Sequence, residues 1–415
     1  MKHPQPSLFR YLGPGFMVAA TGVGAGDLIA ASVAGARYGV IILWAALLGG
    51  ALKFVLNEGI ARWQLATDTT LLEGWIHKLP RAISLYFFIY LLLWAFVVAG
   101  ALISFCGLAA HSLFPLFPEA RPSVVAWGAI HSLLAAGLVL AGRYQMIENL
   151  MKFFIGLMFS VVLFSAARVG ADWGQVLPSL FLPRVPAQEE AVLLVLGIIG
   201  GVGGSVTLLC YSYWLQEKKW RGTAFLHHTR IDLGVAYLLT SLFGAAIIII
   251  AAGVKPGQVE GYNMILSIAN RLSEGSGPFG RWAFMIGFWG AVFSSMLGVW
   301  DGVPYLFADF VETYRNRKGE PADKGTVDAR SPYYRFFLAF LAIPPLLLAV
   351  FGRPAWVGIL YAVTGAFFMP FLAALLLYMN NQTKWMGELR NGWLVNGLLV
   401  ATLVLFLVLM VMEGR

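Results

Sequence analysis

The sequence predicts an all-α integral membrane protein of about eleven transmembrane helices, and three observations carry that prediction. Of 415 residues, 59% are hydrophobic and only 12% are charged, against about 25% charged in a soluble globular chain. Apolar runs of about 20 residues recur from end to end, each long enough to cross a ~30 Å hydrocarbon core as a helix. The runs are continuous rather than alternating. That excludes a transmembrane barrel, the other structure that satisfies its backbone groups in lipid.

The spans fall at residues 14–36, 40–64, 83–108, 124–142, 147–168, 191–216, 231–253, 281–306, 334–351, 355–378 and 393–412. Span 1 follows a polar segment without a signal-peptide pattern, ending in Gly13-Pro14-Gly15. Span 2 carries Lys53, Glu58 and Arg62; span 4 carries His131; span 5 carries Glu148 and Lys152; span 8 carries Asp301. The longest polar stretch, residues 312–334, has mixed charge and is too short to separate soluble domains. Residues 1–415 therefore read as one membrane domain.

The net charge of +8 reports orientation, not nucleic-acid binding, because Lys and Arg accumulate in cytoplasmic loops. One set of ends and loops, including Lys218, Lys219, Arg221, Arg315 and Arg317, holds twice the Lys and Arg of the other. This places the N-terminus in the cytoplasm and, after eleven crossings, the C-terminus outside a cell inner (plasma) membrane. The lipid bilayer is an expected partner and nucleic acid is not. Cys106 and Cys210 both lie within apolar runs, so neither a disulfide nor a cysteine metal site is expected. No cofactor and no enzymatic chemistry are expected, since paired metal-binding histidines, nucleotide loops and nucleophile–base patterns are missing. His227-His228 falls in a basic, solvated loop.

Spans 1 and 6 stand apart. Span 1 contains Gly22-Val23-Gly24-Ala25-Gly26-Asp27, and span 6 contains Gly200-Gly201-Val202-Gly203-Gly204-Ser205-Val206-Thr207. Each glycine costs a helix about 1 kcal/mol relative to alanine, so both spans are weakest at their centres. They open successive groups of five, which implies a five-plus-five repeat. Interrupted helices at matching places in two halves point to a transporter's midplane site; the plainer alternative is close helix packing through small residues. The expected breaks are residues 22–27 and 202–207, facing one cavity that takes a small solute.

Gly13-Pro14-Gly15-Phe16 opens span 1 and Ala34-Gly35-Ala36-Arg37-Tyr38-Gly39 closes it. Ala61-Arg62 to Ala66-Thr67, Ser294-Ser295 to Gly298, Pro370-Phe371 and Met386-Gly387-Glu388 follow in order. Together these resemble the Nramp family of metal-ion transporters over nearly the whole chain. The resemblance implies a LeuT-like fold, with inverted repeats at about 14–168 and 191–378 and an extra helix at about 393–412. It also implies alternating access, commonly with a coupling proton. The functional motifs depart from the family. Its first-span Asp-Pro-Gly-Asn corresponds to Gly24, Ala25, Gly26 and Asp27, and its sixth-span Met-Pro-His to Ser205, Val206 and Thr207. The acidic pair of its third span falls near Trp94 and Val97.

Thioethers favour softer metals, whereas carboxylate, carbonyl and water suit Mg²⁺, Ca²⁺ and Mn²⁺. A substrate site of Asp27, the backbone of Gly24, Ala25, Gly26 and Gly204, and the hydroxyls of Ser205 and Thr207 could hold a partly hydrated hard divalent cation, with Asp27 as the metal ligand. The alternative is a small organic or anionic solute facing half-helix N-termini. Asp27 can also cap the second half-helix. Asp301 is a coupling or cavity residue if it faces the cavity, and merely solvated if it lies near the helix end. Lys53 and Glu58 are further coupling or cavity candidates, although Glu58–Arg62 spacing also suits a structural pair on one helix face. Glu148–Lys152 has that same spacing. His131 can titrate near neutral pH or serve as a hydrogen-bonded helix contact, and Trp173 and Trp356 read as interfacial anchors.

Overall fold

The computed structural model describes residues 13–23, 25–142, 144–188, 190–201, 203–254, 264–316 and 331–413. The fold is all-helical, with no strand among the described residues. Span 1 is two helices, α1 (Pro14–Gly22) and α2 (Ala25–Tyr38). A single tight turn at Gly39–Ile42 leads to α3 (Leu43–Thr67), and a capping box between Thr70 and Glu73 starts the short α4 (Leu71–Lys78). Next come α5 (Arg81–Leu113), α6 (Ala120–Ala141) and α7 (Tyr144–Arg168). The short α8 (Trp173–Phe181) is capped by Asp172 and exposes Trp173, Leu177 and Phe181 along one side, as an interfacial helix does.

Span 6 is also two helices, α9 (Ala191–Gly201) and α10 (Cys210–Glu217), the second entered through a tight turn at Val206–Leu209. Then follow α11 (Leu226–Ala251) and α12 (Met264–Arg315), the latter interrupted at Gly277, where φ is +65°. Span 9 divides into α13 (Pro332–Ala342) and α14 (Leu346–Phe351). Its dividing residues include Pro344 and Pro345, which have no N–H to continue the ladder. Span 10 divides at Phe367 into α15 (Pro354–Ala366) and α16 (Phe368–Met379). The chain ends with α17 (Thr383–Met386) and α18 (Trp393–Glu413).

Among the described residues, nine helical runs are long and apolar enough to cross a membrane, or ten if the bent pair Thr383–Leu389 and Trp393–Leu409 is one span. The expected eleven is not reached on this criterion. Spans 1 and 2 run together as Leu28–Thr67, which leaves the short α1 uncounted, and the last span qualifies only as part of the bent pair.

The broken helices occupy the middle. The most apolar window of Ala191–Glu217 is 88% buried, whereas that of Ala120–Ala141 is 33% buried; span 6 is central and span 4 peripheral. Helix α1 packs on α7, α11 and α12, while α9 packs on α2, α3 and α15. α18 lies on α16 and α3 and leaves Leu394, Val404, Leu407 and Val411 exposed. Leu85, Ile89 and Leu93 of α5 and Leu133 and Leu140 of α6 are exposed as well. So extensive an apolar exterior requires a bilayer to cover it.

Candidate functional site

Each glycine cluster produces a break, for different local reasons. In span 1 the helix stops at Gly22, and Val23 turns to φ −86°, ψ +76° with its N–H still bonded to the Ala19 carbonyl. In span 6, Gly203 and Gly204 stand at φ +81° and +84°, a left-handed pair that residues with a Cβ rarely adopt. The breaks touch: a Cβ on Gly22 would lie 2.5 Å from the Gly203 carbonyl carbon. Bare backbone meets bare backbone at the centre of the bundle.

Side chains from four surrounding helices close on this point. From α5, the Trp94 indole N–H donates to the Ser205 hydroxyl at 2.9 Å. From α12, the Ser295 hydroxyl donates to the Thr21 carbonyl at 2.8 Å. The Tyr237 ring of α11 lies over Gly203, leaving only 2.8 Å for a Cβ there, and its hydroxyl accepts from the Asn57 amide of α3 at 2.9 Å. One turn before Asn57, Lys53 is fully buried and donates from Nζ to the Gly200 carbonyl at 2.6 Å. That carbonyl belongs to the last turn of α9, where carbonyls lack helical partners and the helix dipole is negative.

Of the expected substrate residues, Gly204, Ser205 and Thr207 all lie at the span-6 break, the last two buried. Gly24 lies outside the described residues. Ala25, Gly26 and Asp27 begin α2, but their side chains, and with them Asp27 as a metal ligand, also lie outside what is described. Among the described residues no group of three or more His, Cys, Asp or Glu could hold a metal ion.

The remaining candidates are placed elsewhere. Glu58 is bracketed by Arg62 at 3.2 Å and Arg230 at 2.8 Å. Arg62 in turn reaches the Asn391 side chain at 2.7 Å and the Leu389 and Arg390 carbonyls at 3.3 Å. This network ties α3 to α11 and to the turn before α18. Asp301 is neither solvated nor at the breaks. It is buried one turn past Gly298, its carboxylate accepting from the Trp214 indole of α10 at 3.1 Å. His131 accepts at Nε2 from the Trp289 indole at 2.8 Å and bonds the Trp127 carbonyl through Nδ1 at 2.7 Å. An acceptor at Nε2 and a donor at Nδ1 define the neutral Nδ1–H tautomer, so the ring is a helix contact.

One residue that sequence reasoning passed over is Asp232. Its carboxylate accepts the N–H groups of Gly13 and Gly15 at 2.9 and 2.6 Å and the Tyr211 hydroxyl at 3.0 Å. It thereby caps α1 from α11 and binds α1 to α10. A lone acid in an otherwise apolar run was the available signal. Nearby, Glu148 is fully buried and paired with Lys152 and Lys218, each at 2.7 Å.

A family model described as Natural resistance-associated macrophage protein-like, Nramp, matches residues 15–413. The chain belongs to the Nramp family. Its Nramp relatives include the divalent metal cation transporter MntH of Bacillus subtilis, 26% identical over 97% of this chain and 92% of the relative. Another is the metal transporter Nramp1 of Populus trichocarpa, 23% identical over 97% of this chain and 75% of that one. A mutant of the Eremococcus coleocola manganese transporter superposes with a TM-score of 0.77 at 17% identity, covering 99% of this chain and 88% of the other. MhsT in complex with L-phenylalanine superposes with a TM-score of 0.62, also at 17% identity, over 96% and 98%. These structures establish the LeuT-like fold, and the breaks in helices 1 and 6 are seen in this chain itself.

Proposed function

We propose that this Nramp protein is a secondary transporter that carries a divalent cation between the breaks of spans 1 and 6 by alternating access. The contact of Gly22 with Gly203 is the observation that carries the proposal. Two half-helix breaks meet inside a membrane bundle, where irregular backbone is tolerated because it lines a path. The names of the relatives, metal transporters in bacteria and plants, support a metal as cargo. Asp27 is the proposed ligand, with the hydroxyls of Ser205 and Thr207 and the backbone of Gly24, Ala25, Gly26 and Gly204. This oxygen set favours hard ions such as Mg²⁺ or Mn²⁺ over soft metals. Asp301 is the proposed coupling residue, because a buried carboxylate held by a neutral indole can take and release a proton. In the proposed orientation the N-terminus is cytoplasmic and the C-terminus outside an inner membrane. Asp232 then closes the cytoplasmic side by holding the start of α1.

A second reading, a small organic or anionic solute in place of metal, is favoured by one observation. The Lys53 ammonium lies on the backbone of the span-6 break, which sets a basic side chain beside the proposed cargo path. Proteoliposome flux decides between the two. Under the metal reading, Mg²⁺ or Mn²⁺ enters and Cd²⁺ gains no advantage. Uptake of an amino or organic acid without metal flux would establish the second reading, and strongly selective Cd²⁺ uptake would overturn the oxygen-ligand assignment.

A further inference from the structure

We infer that Lys53 is the resident cation of the span-6 break: its ammonium takes the carbonyl end of α9, where a transporter of this architecture otherwise seats an inorganic ion. The inference begins with backbone accounting. α9 stops at Gly201, and Gly203 and Gly204 turn away in left-handed conformations. The last carbonyls of α9 are thereby removed from the helical ladder. They carry the negative end of the helix dipole, in a place without bulk water. Half-helix C-terminal ends of this kind coordinate Na⁺ or H⁺ in broken-helix transporters. Here the charge arrives covalently. Lys53 sits on α3 with its whole side chain buried, and Nζ donates to the Gly200 carbonyl at 2.6 Å.

The surroundings are built to hold it there. Gly49, one turn before Lys53 on α3, lets that helix approach Ile199 closely, leaving 3.0 Å for a Cβ. Gly200 itself lies against Ala366 of α15, where an added Cβ would come within 2.4 Å of the Ala366 methyl. One turn beyond Lys53, the Asn57 amide donates to Tyr237, whose ring covers Gly203. α3 thus supplies a cation and a neutral donor to successive parts of one break.

One consequence follows, and it does not rest on the transporter reading above: the Gly200 carbonyl needs no monovalent ion from solution.

The test uses the purified full-length protein and two variants, Lys53→Met, which removes the charge and keeps the apolar stem, and Lys53→Gln, which retains an N–H donor. Thermal unfolding midpoints are followed during titration with Na⁺, methylammonium and Mn²⁺, each as its chloride against a choline chloride control. The inference expects Lys53→Met to be stabilised by one of these cations at a concentration about tenfold or more below that needed by wild type. Lys53→Gln should show the same gain even if Lys53→Met does not fold. Midpoints that respond to all three cations within twofold of wild type in both foldable variants would overturn it. A Na⁺ requirement for wild-type stability at the same break would overturn it as well. If wild type carries no cargo in liposomes while the variants still gain cation binding, the transporter reading fails and Lys53 keeps its assignment.

Discussion

Lys53 and Glu58 lie on the same helix, five residues apart and both buried, and each touches a partner of a different kind. Glu58 is met by two guanidinium groups, from Arg62 on its own helix and Arg230 on α11. Lys53 is met at Nζ by a backbone carbonyl at a helix break. A charge answered by charges is immobile, since moving either partner strands the other in low dielectric. A charge that touches a helix end is held in part by a dipole, which can be redirected if the half-helix swings. Asp232 mirrors Lys53 with the opposite sign, accepting the free N–H groups at the start of α1. The first half-helices of spans 1 and 6 therefore each have one end held by a side chain of complementary charge.

The largest expected effect falls on the charge-answered side. Glu58→Ala leaves the buried Arg62 without its carboxylate and should destabilise the fold by about 3–5 kcal/mol, read as a large fall in unfolding temperature and folded yield. A loss below about 1 kcal/mol would put Glu58 in the class of surface pairs and collapse the contrast with Lys53.

Next comes the dipole-answered anion. Asp232→Ala strips the acceptor from Gly13, Gly15 and Tyr211 and should cost about 1–3 kcal/mol, with the loss concentrated in the seating of α1. Cys210, buried beside Tyr211, should then react with a membrane-permeant thiol reagent several-fold faster, while Cys106 should not change. Equal acceleration at both cysteines would mean general loosening instead of release of one half-helix.

Asp27→Asn should spare folding and change cargo affinity on the order of tenfold, and its direction sorts cargo by charge. A cation should bind more weakly once this carboxylate is gone; an anion should bind as well or better. Unchanged affinity and pH dependence for every transported solute would reduce Asp27 to a helix cap.

The smallest effect concerns a neutral pair. Trp289→Phe removes the donor to His131 Nε2 and should cost about 1 kcal/mol, read as a small fall in unfolding temperature. No measurable fall would mean that the indole bond adds nothing to this helix contact.

What the sequence disclosed and what it hid follow from one distinction. Hydropathy located the apolar helices, and paired glycine clusters located the breaks at Val23 and Gly203-Gly204, because both signals are local. The i,i+4 spacing likewise revealed Glu58–Arg62 and Glu148–Lys152. Arg230, Asn391 and Lys218 complete those networks from elsewhere in the chain, and no spacing rule reaches them. Lys53 was visible as an expensive buried charge, but the Gly200 group it bonds is a main-chain carbonyl, the same atom in every residue. Asp232 was hidden for the same reason, since two of its donors are backbone N–H groups. The division of span 9 was written in Pro344-Pro345 and was outweighed by the continuous apolar run around it.

The bare meeting of Gly22 with Gly203 also has a kinetic meaning. At the contact itself two backbones have no rotamers to unlock; what must release is the Tyr237 ring over Gly203 and the bonds of Trp94 and Ser295 beside it. If the half-helices separate as the transporter reading proposes, the waiting time is set by these contacts together with the tethers, at Asp232 for the first and Lys53 for the second. Altering a tether changes how often the gap opens, whereas adding a methyl at either glycine changes whether the closed state can form.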